Sequence, residues 1–132
     1  MSKALLLFAH GARDPRWAEP FEAVARSVRE RDPQRVVQLA YLEFMAPSLQ
    51  DAGEQLVQAG CTQVDVVPLF LGAGGHVRKD LPELLAALAT AHPQVAWRLH
   101  TAIGEVGSVI DAMAQAALML ANGSGNGIEA GA

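Results

Sequence analysis

The sequence predicts an α/β domain built on a four-stranded parallel sheet. Apolar, β-branched segments alternate with amphipathic helical segments four times along the chain. The strand segments lack the polar–apolar alternation of half-solvated sheets, so we expect helices on both faces of the sheet. With right-handed crossovers, the expected strand order is 2-1-3-4, and the switch point of this order lies between strands 1 and 3.

Length and composition indicate one domain with a real core. The chain has 132 residues, and 51% of them are hydrophobic, which argues against disorder. We expect a single domain over residues 1–121 and a flexible, glycine-rich tail over residues 122–132. A lone cysteine, Cys61, cannot form an intramolecular disulfide, and we expect a buried thiol there.

Charge and hydropathy disfavour two classes of partner. Fourteen acidic residues against ten basic ones give a net charge of −4, which disfavours nucleic acid or an anionic membrane as a partner. The N-terminal apolar run, residues 4–9, is too short for a signal sequence or a membrane span. We therefore expect a cytoplasmic protein.

The elements are expected in this order. Strands are predicted over 3–9, 35–41, from 64 onward, and over 95–99. Helices are predicted from 17 to about 31, from 47 or 48 to 59, from 80 to 92, and over a last segment with an apolar stripe. The members of that stripe are Val106, Val109, Ile110, Met113, Ala117 and Leu120.

The third strand runs into a glycine-rich loop, residues 72–75, which His76 follows directly. Glycine allows backbone conformations that other residues avoid, so the pattern predicts a tight turn. Asp80 is predicted to cap the next helix, with Glu83 as the N3 acid and Pro82 in the first turn. This places His76 in a loop at the carboxyl end of a strand, where open α/β sheets bind ligands.

Three ionisable side chains are expected around the switch point. His10 ends strand 1, His76 follows strand 3, and Glu43 follows the neighbouring strand 2. Two neutral imidazoles and a carboxylate suit a divalent ion such as Co, Fe, Ni or Zn. The same groups exchange protons near neutral pH, so acid–base catalysis is a second use of them. His92 and His100 are expected to be structural.

Other uses of these loops fit less well. The glycine segment matches neither phosphate-binding fingerprint. The His-Gly pair is typical of histidine phosphatases, but Ala9 stands where such enzymes have a phosphate-clamping arginine. Four basic residues flank the two loops and are candidates for binding a polycarboxylate: Arg13, Arg16, Arg78 and Lys79.

Three motifs carry a resemblance to a known family: LLLFAHGARDPRW, YLEFMAPSL and PLFLGAGGHVRKDLPELL. In this order and spacing, over about residues 3–120, the sequence resembles the small sirohydrochlorin cobaltochelatases. These are the short members of the ATP-independent class of tetrapyrrole metal chelatases. The resemblance implies a chelatase-like fold and insertion of Co(II) into sirohydrochlorin for cobalamin synthesis. It also implies that His10 and His76 are the metal-site histidines and that Glu43 is the acidic residue beside them.

The resemblance has further implications and one departure. The single-domain form is expected to pair as a homodimer, with Phe44, Met45, Phe70 and Leu71 on an apolar rim that a macrocycle or a partner covers. Residues 104–107 read Gly-Glu-Val-Gly, where the family often has Gly-x-His-Pro, and no histidine-rich stretch is present. Iron and nickel remain alternatives to cobalt, and a non-enzymatic metal or tetrapyrrole carrier is the rival function.

Overall fold

The computed structural model describes residues 2–72 and 74–123, without the side chain of residue 76. Its four strands form one parallel sheet in the order β2-β1-β3-β4, so the predicted topology is confirmed. The strands are β1 (Ser2–Ala9), β2 (Val36–Tyr41), β3 (Cys61–Pro68) and β4 (Ala96–Leu99). The helices are α1 (Glu19–Arg31), α2 (Leu49–Gln58), α3 (Gly75–Ala91) and α4 (Gly107–Asn122).

Strands β1 and β3 are the inner strands of the sheet, because each pairs with a neighbour on both sides. Leu6 lies opposite Gln38 of β2 and Val66 of β3. One face of the sheet packs against α2 and α3, and Phe8, Val66 and Leu88 are fully buried there. Such burial contributes roughly 1.5–3 kcal/mol for each large apolar side chain. This layer is the main hydrophobic core.

The opposite face is covered over β1 and β2 by α1. Leu7 and Val37 of the sheet pack with Ala25 of α1 in a second buried cluster. A 3-10 turn, Pro15–Ala18, leads into α1, and the side chain of Asp14 caps this turn by accepting from the Arg16 backbone N–H at 2.9 Å. Cys61 is buried, as predicted, and burial raises the pKa of its thiol.

Helix α3 begins earlier than the sequence suggested. It starts at Gly75, after Gly74 as N-cap, so the prediction of a cap at Asp80 is wrong. Pro82 therefore lies inside the helix rather than in its first turn. The physical reason is the apolar stripe: Val77 lies one turn before Leu81 and packs against the core, which extends the helix backward. His76 is thus part of the first helical turn and not of a loop.

Helix α4 forms where the pattern predicts it, but it is not packed. None of its residues is buried against the described part of the chain. The helix runs through Asn122, which the sequence had assigned to the tail, and Gly123 follows it. The rest of the predicted tail, residues 124–132, lies outside the described residues. Among the residues that the structure describes, no helix has the length and apolar character needed to cross a membrane.

Candidate functional site

His10 lies at the carboxyl edge of the sheet, directly after β1, and is exposed. Its ring packs against Phe70, with 4.4 Å between the ring centroids and a 38° angle between the planes. Phe70 follows β3 and is 3% exposed. A backbone hydrogen bond links the ends of β1 and β3: the Leu69 N–H donates to the Phe8 carbonyl at 2.7 Å. His10 is therefore an accessible imidazole braced by the loop of the neighbouring strand.

The loop after β2 runs alongside His10. The backbone N–H of Glu43 donates to the His10 carbonyl at 3.0 Å, and Leu42 N–H donates to the Ala9 carbonyl at 2.9 Å. Gly11 makes this approach possible, because it has φ +85° and a Cβ there would overlap the Glu43 carbonyl oxygen. The structure thus brings the backbones of His10 and Glu43 together, and Glu43 is exposed.

His76 starts α3, the helix that follows β3, and its side chain lies outside the described residues. Its predicted approach to His10 therefore stays a prediction. Within the part of the chain that is described, no group of three or more His, Cys, Asp or Glu side chains is arranged to hold a metal ion.

The four candidate basic residues differ in their surroundings. The Arg13 guanidinium carbon lies 4.7 Å from the centroid of the Phe44 ring, which is a cation–π contact. Arg16 forms an ion pair with Asp14 at 2.9 Å, and its side-chain hydrogen bond holds the pKa of that carboxyl below its usual value. Lys79 is exposed on α3.

Arg78 belongs to a second polar group on α3. Its Nη2 lies 3.1 Å from Glu105 Oε1, and the Thr101 hydroxyl donates to the other oxygen of Glu105. This group borders a cleft of about 220 Å³ between α3 and the end of β4. The cleft is smaller than the roughly 300–1,000 Å³ of typical small-molecule pockets, so it does not enclose a large ligand.

Exposed apolar side chains lie on the loops next to His10. Phe44 is 57% exposed and Leu71 is 73% exposed, and Leu42 is also exposed. Phe44 has φ 65°, a left-handed conformation that is rare for an aromatic residue. The prediction that Phe70 lies on this rim is wrong: it is buried, because it packs under His10 and edge-on to Phe8. Met45, also predicted on the rim, is only partly exposed and packs against a buried cluster that includes Tyr41. We therefore use the name apolar rim for Leu42, Phe44 and Leu71.

The other two histidines bind carboxylates. His92 Nε2 lies 2.8 Å from Glu54 Oε1, and His100 Nε2 lies 2.7 Å from Asp65 Oδ1. Burial alone would raise the pKa of Asp65, but hydrogen bonds from Arg98, His100 and Gln63 outweigh burial and hold this pKa well below its usual value. Both histidines are structural in this arrangement.

Sequence reasoning missed two features of the site. The packing of His10 on Phe70 depends on the side-chain direction of a loop residue, which no periodicity reveals. The Arg13–Phe44 contact involves a residue with positive φ, and non-glycine residues rarely adopt that conformation. The only available signal was an aromatic residue next to a candidate acidic residue, in a loop at the ligand-binding edge.

Comparison with known proteins identifies the family of this chain. The family model described as CbiX matches residues 4–118, which is most of the chain. The chain belongs to the CbiX family. A crystal structure of a CbiX protein of cobalamin (vitamin B12) biosynthesis from Marinobacter aquaeolei VT8 has a TM-score of 0.78 and 35% identity to it. That match covers 89% of this chain and 95% of the other.

Two further relatives of this CbiX-family chain differ in length. Sirohydrochlorin cobaltochelatase from Methanocaldococcus jannaschii is 33% identical over 90 residues, which is 68% of this chain and 63% of that protein. The sirohydrochlorin chelatase SirB from Bacillus subtilis subspecies spizizenii, solved in complex with cobalt, is 26% identical with a TM-score of 0.78. That match covers 92% of this chain and 52% of SirB. The chain thus matches less than two thirds of these two proteins.

Proposed function

We propose that this CbiX-family chain is a metal chelatase that inserts Co(II) into sirohydrochlorin without ATP. The observation that carries the proposal is the exposed imidazole of His10 at the switch point, packed on Phe70 between loops that carry the apolar rim. A flat, largely apolar macrocycle with acidic side arms needs such a surface beside a metal ligand. The name of the M. jannaschii relative supports the same substrate and reaction, and the name of the B. subtilis relative supports metal chelation of sirohydrochlorin.

The substrate would lie across the apolar rim, with its carboxylates directed toward basic side chains. Arg13 suits this role best, because its guanidinium is exposed and is held over Phe44 at the rim. Lys79 is a second exposed candidate on α3. Arg16 and Arg78 already pair with Asp14 and Glu105, so a substrate carboxylate would have to compete with those carboxylates.

His10 and His76 would hold the incoming ion as neutral ligands. Insertion replaces two pyrrole N–H protons with one M(II), so two protons must leave the macrocycle as the metal–nitrogen bonds form. Glu43 is a candidate acceptor because its backbone is hydrogen-bonded to His10 and it is exposed. One of the two imidazoles is the alternative acceptor.

Several aspects of this proposal stay open to test. Iron and nickel demand much the same nitrogen and oxygen ligands as cobalt. A metal or tetrapyrrole carrier would use the same histidines without turnover. The proposal also includes a homodimer, a cytoplasmic location and a single domain over residues 1–121.

The test is the initial rate of Co(II)-sirohydrochlorin formation, measured without nucleotide. His10→Ala and His76→Ala should abolish or greatly reduce the rate with the fold retained in circular dichroism. Glu43→Gln should bind metal but turn over more slowly. The rate should fall at acidic pH, because a protonated imidazole no longer binds metal.

Matched controls are the two structural histidines. His92→Ala and His100→Ala remove imidazoles that bind Glu54 and Asp65, so they should lower stability while leaving the rate near wild type. Wild-type rates in both the His10 and His76 variants would contradict the proposal. Product limited to one equivalent per chain would favour the carrier function.

A further inference from the structure

The segment that follows β4, residues 101–105, contacts both sides of the candidate metal site. It contains the short 3-10 turn Ile103–Glu105, and Ala102 before this turn is buried in the main core. One contact goes to the loop after β3, against which His10 packs. The other goes to the first turn of α3, which carries His76. We call residues 101–105 the β4 loop.

Gly104 joins the β4 loop to the residues beneath His10. Its backbone N–H donates to the Phe70 carbonyl at 2.9 Å, and the Phe70 ring packs against the His10 imidazole. Gly104 is buried, and a Cβ at this position would overlap the backbone carbonyl of Leu71. Even an alanine would therefore have to push the loop after β3 away from the β4 loop. The support of the His10 ring thus depends on a close backbone approach that only glycine allows.

Glu105 joins the same loop to the first turn of α3. Its Oε1 lies 3.1 Å from Arg78 Nη2, and the Thr101 hydroxyl donates to Oε2 and so orients the carboxylate. The N-cap of α3 is Gly74, which has no side chain that could accept from the free N–H groups of this turn. Val77 packs the apolar side of the turn against the core, and Glu105 adds a polar contact to it.

We propose that Gly104 and Glu105 are positioning residues, through which the β4 loop sets the distance between His10 and the first turn of α3. Two ligands from different elements bind one ion well only when their geometry is held to within about 0.5 Å. The β4 loop contacts both elements at once, so it can hold this separation without supplying a ligand. The assignment rests on the proposed function, because it takes His10 and His76 as the ligands of the ion.

The first test compares Gly104→Ala with Gly107→Ala in the full chain. A Cβ at Gly107 would meet no atom within 4 Å, so this variant controls for a methyl group added to the neighbouring segment. The first readout is the proton NMR signal of His10 Cε1–H, which senses the ring of Phe70 and is assigned by its absence in His10→Ala. The second is the affinity for Co(II) alone, followed by Co(II) absorption without tetrapyrrole.

Gly104→Ala should shift the His10 signal and weaken Co(II) binding by at least about 10-fold, the usual effect of losing a group that orients a metal ligand. Gly107→Ala should leave the signal in place and change the affinity by less than about 2-fold. Circular dichroism checks that both variants are folded.

A second comparison covers the case in which Gly104→Ala fails to fold. Glu105→Gln is matched by Glu54→Gln, because Glu54 pairs with His92 directly after the other end of α3. Glu105→Gln should weaken Co(II) binding by about 2–5-fold, the size expected from a partly exposed ion pair. It should also speed hydrogen exchange of the Arg78 amide, which donates to the Gly74 carbonyl. Glu54→Gln should speed exchange of the His92 amide instead and keep the wild-type affinity for Co(II).

The outcomes separate the positioning roles from the proposed function. An unshifted His10 signal with wild-type Co(II) affinity in a folded Gly104→Ala would overturn the role of Gly104. Equal effects of Glu105→Gln and Glu54→Gln on Co(II) affinity and on Arg78 exchange would overturn the role of Glu105. The NMR signal and the exchange rate need no metal, so they decide both roles even where the wild type binds no Co(II), a result that would contradict the proposed function.

Discussion

Gly11 gives the sharpest test of how the site is positioned. The residue has φ +85°, and an added Cβ would overlap the Glu43 carbonyl oxygen. Gly11→Ala therefore combines two costs. Left-handed backbone costs an alanine about 1–2 kcal/mol. Relief of the overlap must move the loop after β2, which breaks the hydrogen bond from Glu43 to the His10 carbonyl at about 0.5–1.5 kcal/mol.

Gly60 supplies a matched control for the backbone cost alone. It has φ +87° after α2, and a Cβ there would meet no atom within 4 Å. Gly60→Ala should therefore destabilise the fold by about 1–2 kcal/mol. Gly11→Ala should cost about 1–1.5 kcal/mol more, because it adds the overlap and the lost hydrogen bond.

The first assay is equilibrium urea unfolding of both variants. The second is the rate of metal insertion, measured without denaturant at a temperature where both variants are folded. We expect Gly60→Ala to keep the wild-type rate and Gly11→Ala to lose most of it, since His10 and Glu43 move together. Equal stability losses in the two variants would refute the argument that the Glu43 carbonyl limits this position. A full rate in Gly11→Ala would show that the register of the two loops is unimportant.

Two further predictions follow from the rim and from the buried acid. Phe44→Leu should keep the fold and raise KM for the tetrapyrrole more than it lowers kcat, because it removes the aromatic contact with Arg13. Phe44→Tyr keeps an aromatic ring and should have the wild-type KM. An unchanged KM in the leucine variant would contradict this role. Asp65→Asn should lower the free energy of unfolding by roughly 2 kcal/mol through weaker bonds to Arg98 and His100. The pKa of Asp65 is lower in the folded protein than in the unfolded chain. The stability that this carboxylate gives the fold is therefore present above about pH 4 and is lost as pH falls further. The free energy of unfolding of the variant should depend less on acid pH than that of the wild type.

Periodicity explains why the fold was predictable. The apolar strands and the stripes of α1 and α2 each bury a face whose spacing is visible in sequence, and 2-1-3-4 is a common order of doubly wound sheets with right-handed crossovers. The start of α3 was misplaced because two start signals compete. Asp80 has the residue types of a capping box, but extending the stripe to Val77 buries more apolar surface. Packing decided between the signals.

The site was predictable only at the level of elements. Parallel strands bring their carboxyl ends to one edge of the sheet, so His10 and the loop after β2 meet there. The backbone hydrogen bond from Glu43 to the His10 carbonyl shows this contact. Side-chain direction is a different matter. Phe70 turns inward under His10 while Leu71, the next residue, turns outward, and no composition rule separates these two apolar neighbours. The same holds for α4, whose stripe predicts a buried face but cannot say which surface buries it.

The apolar rim poses an energetic question. Each large apolar side chain left in water forgoes roughly 1.5–3 kcal/mol of stabilisation that burial would provide. Phe44 adds a left-handed backbone, which costs about 1–3 kcal/mol more. A chain of this size has little stability to spare, so these exposed groups point to a partner outside the chain. A flat macrocycle matches the rim, which lies on the loops next to His10. Substrate analogues should therefore protect the rim from solvent.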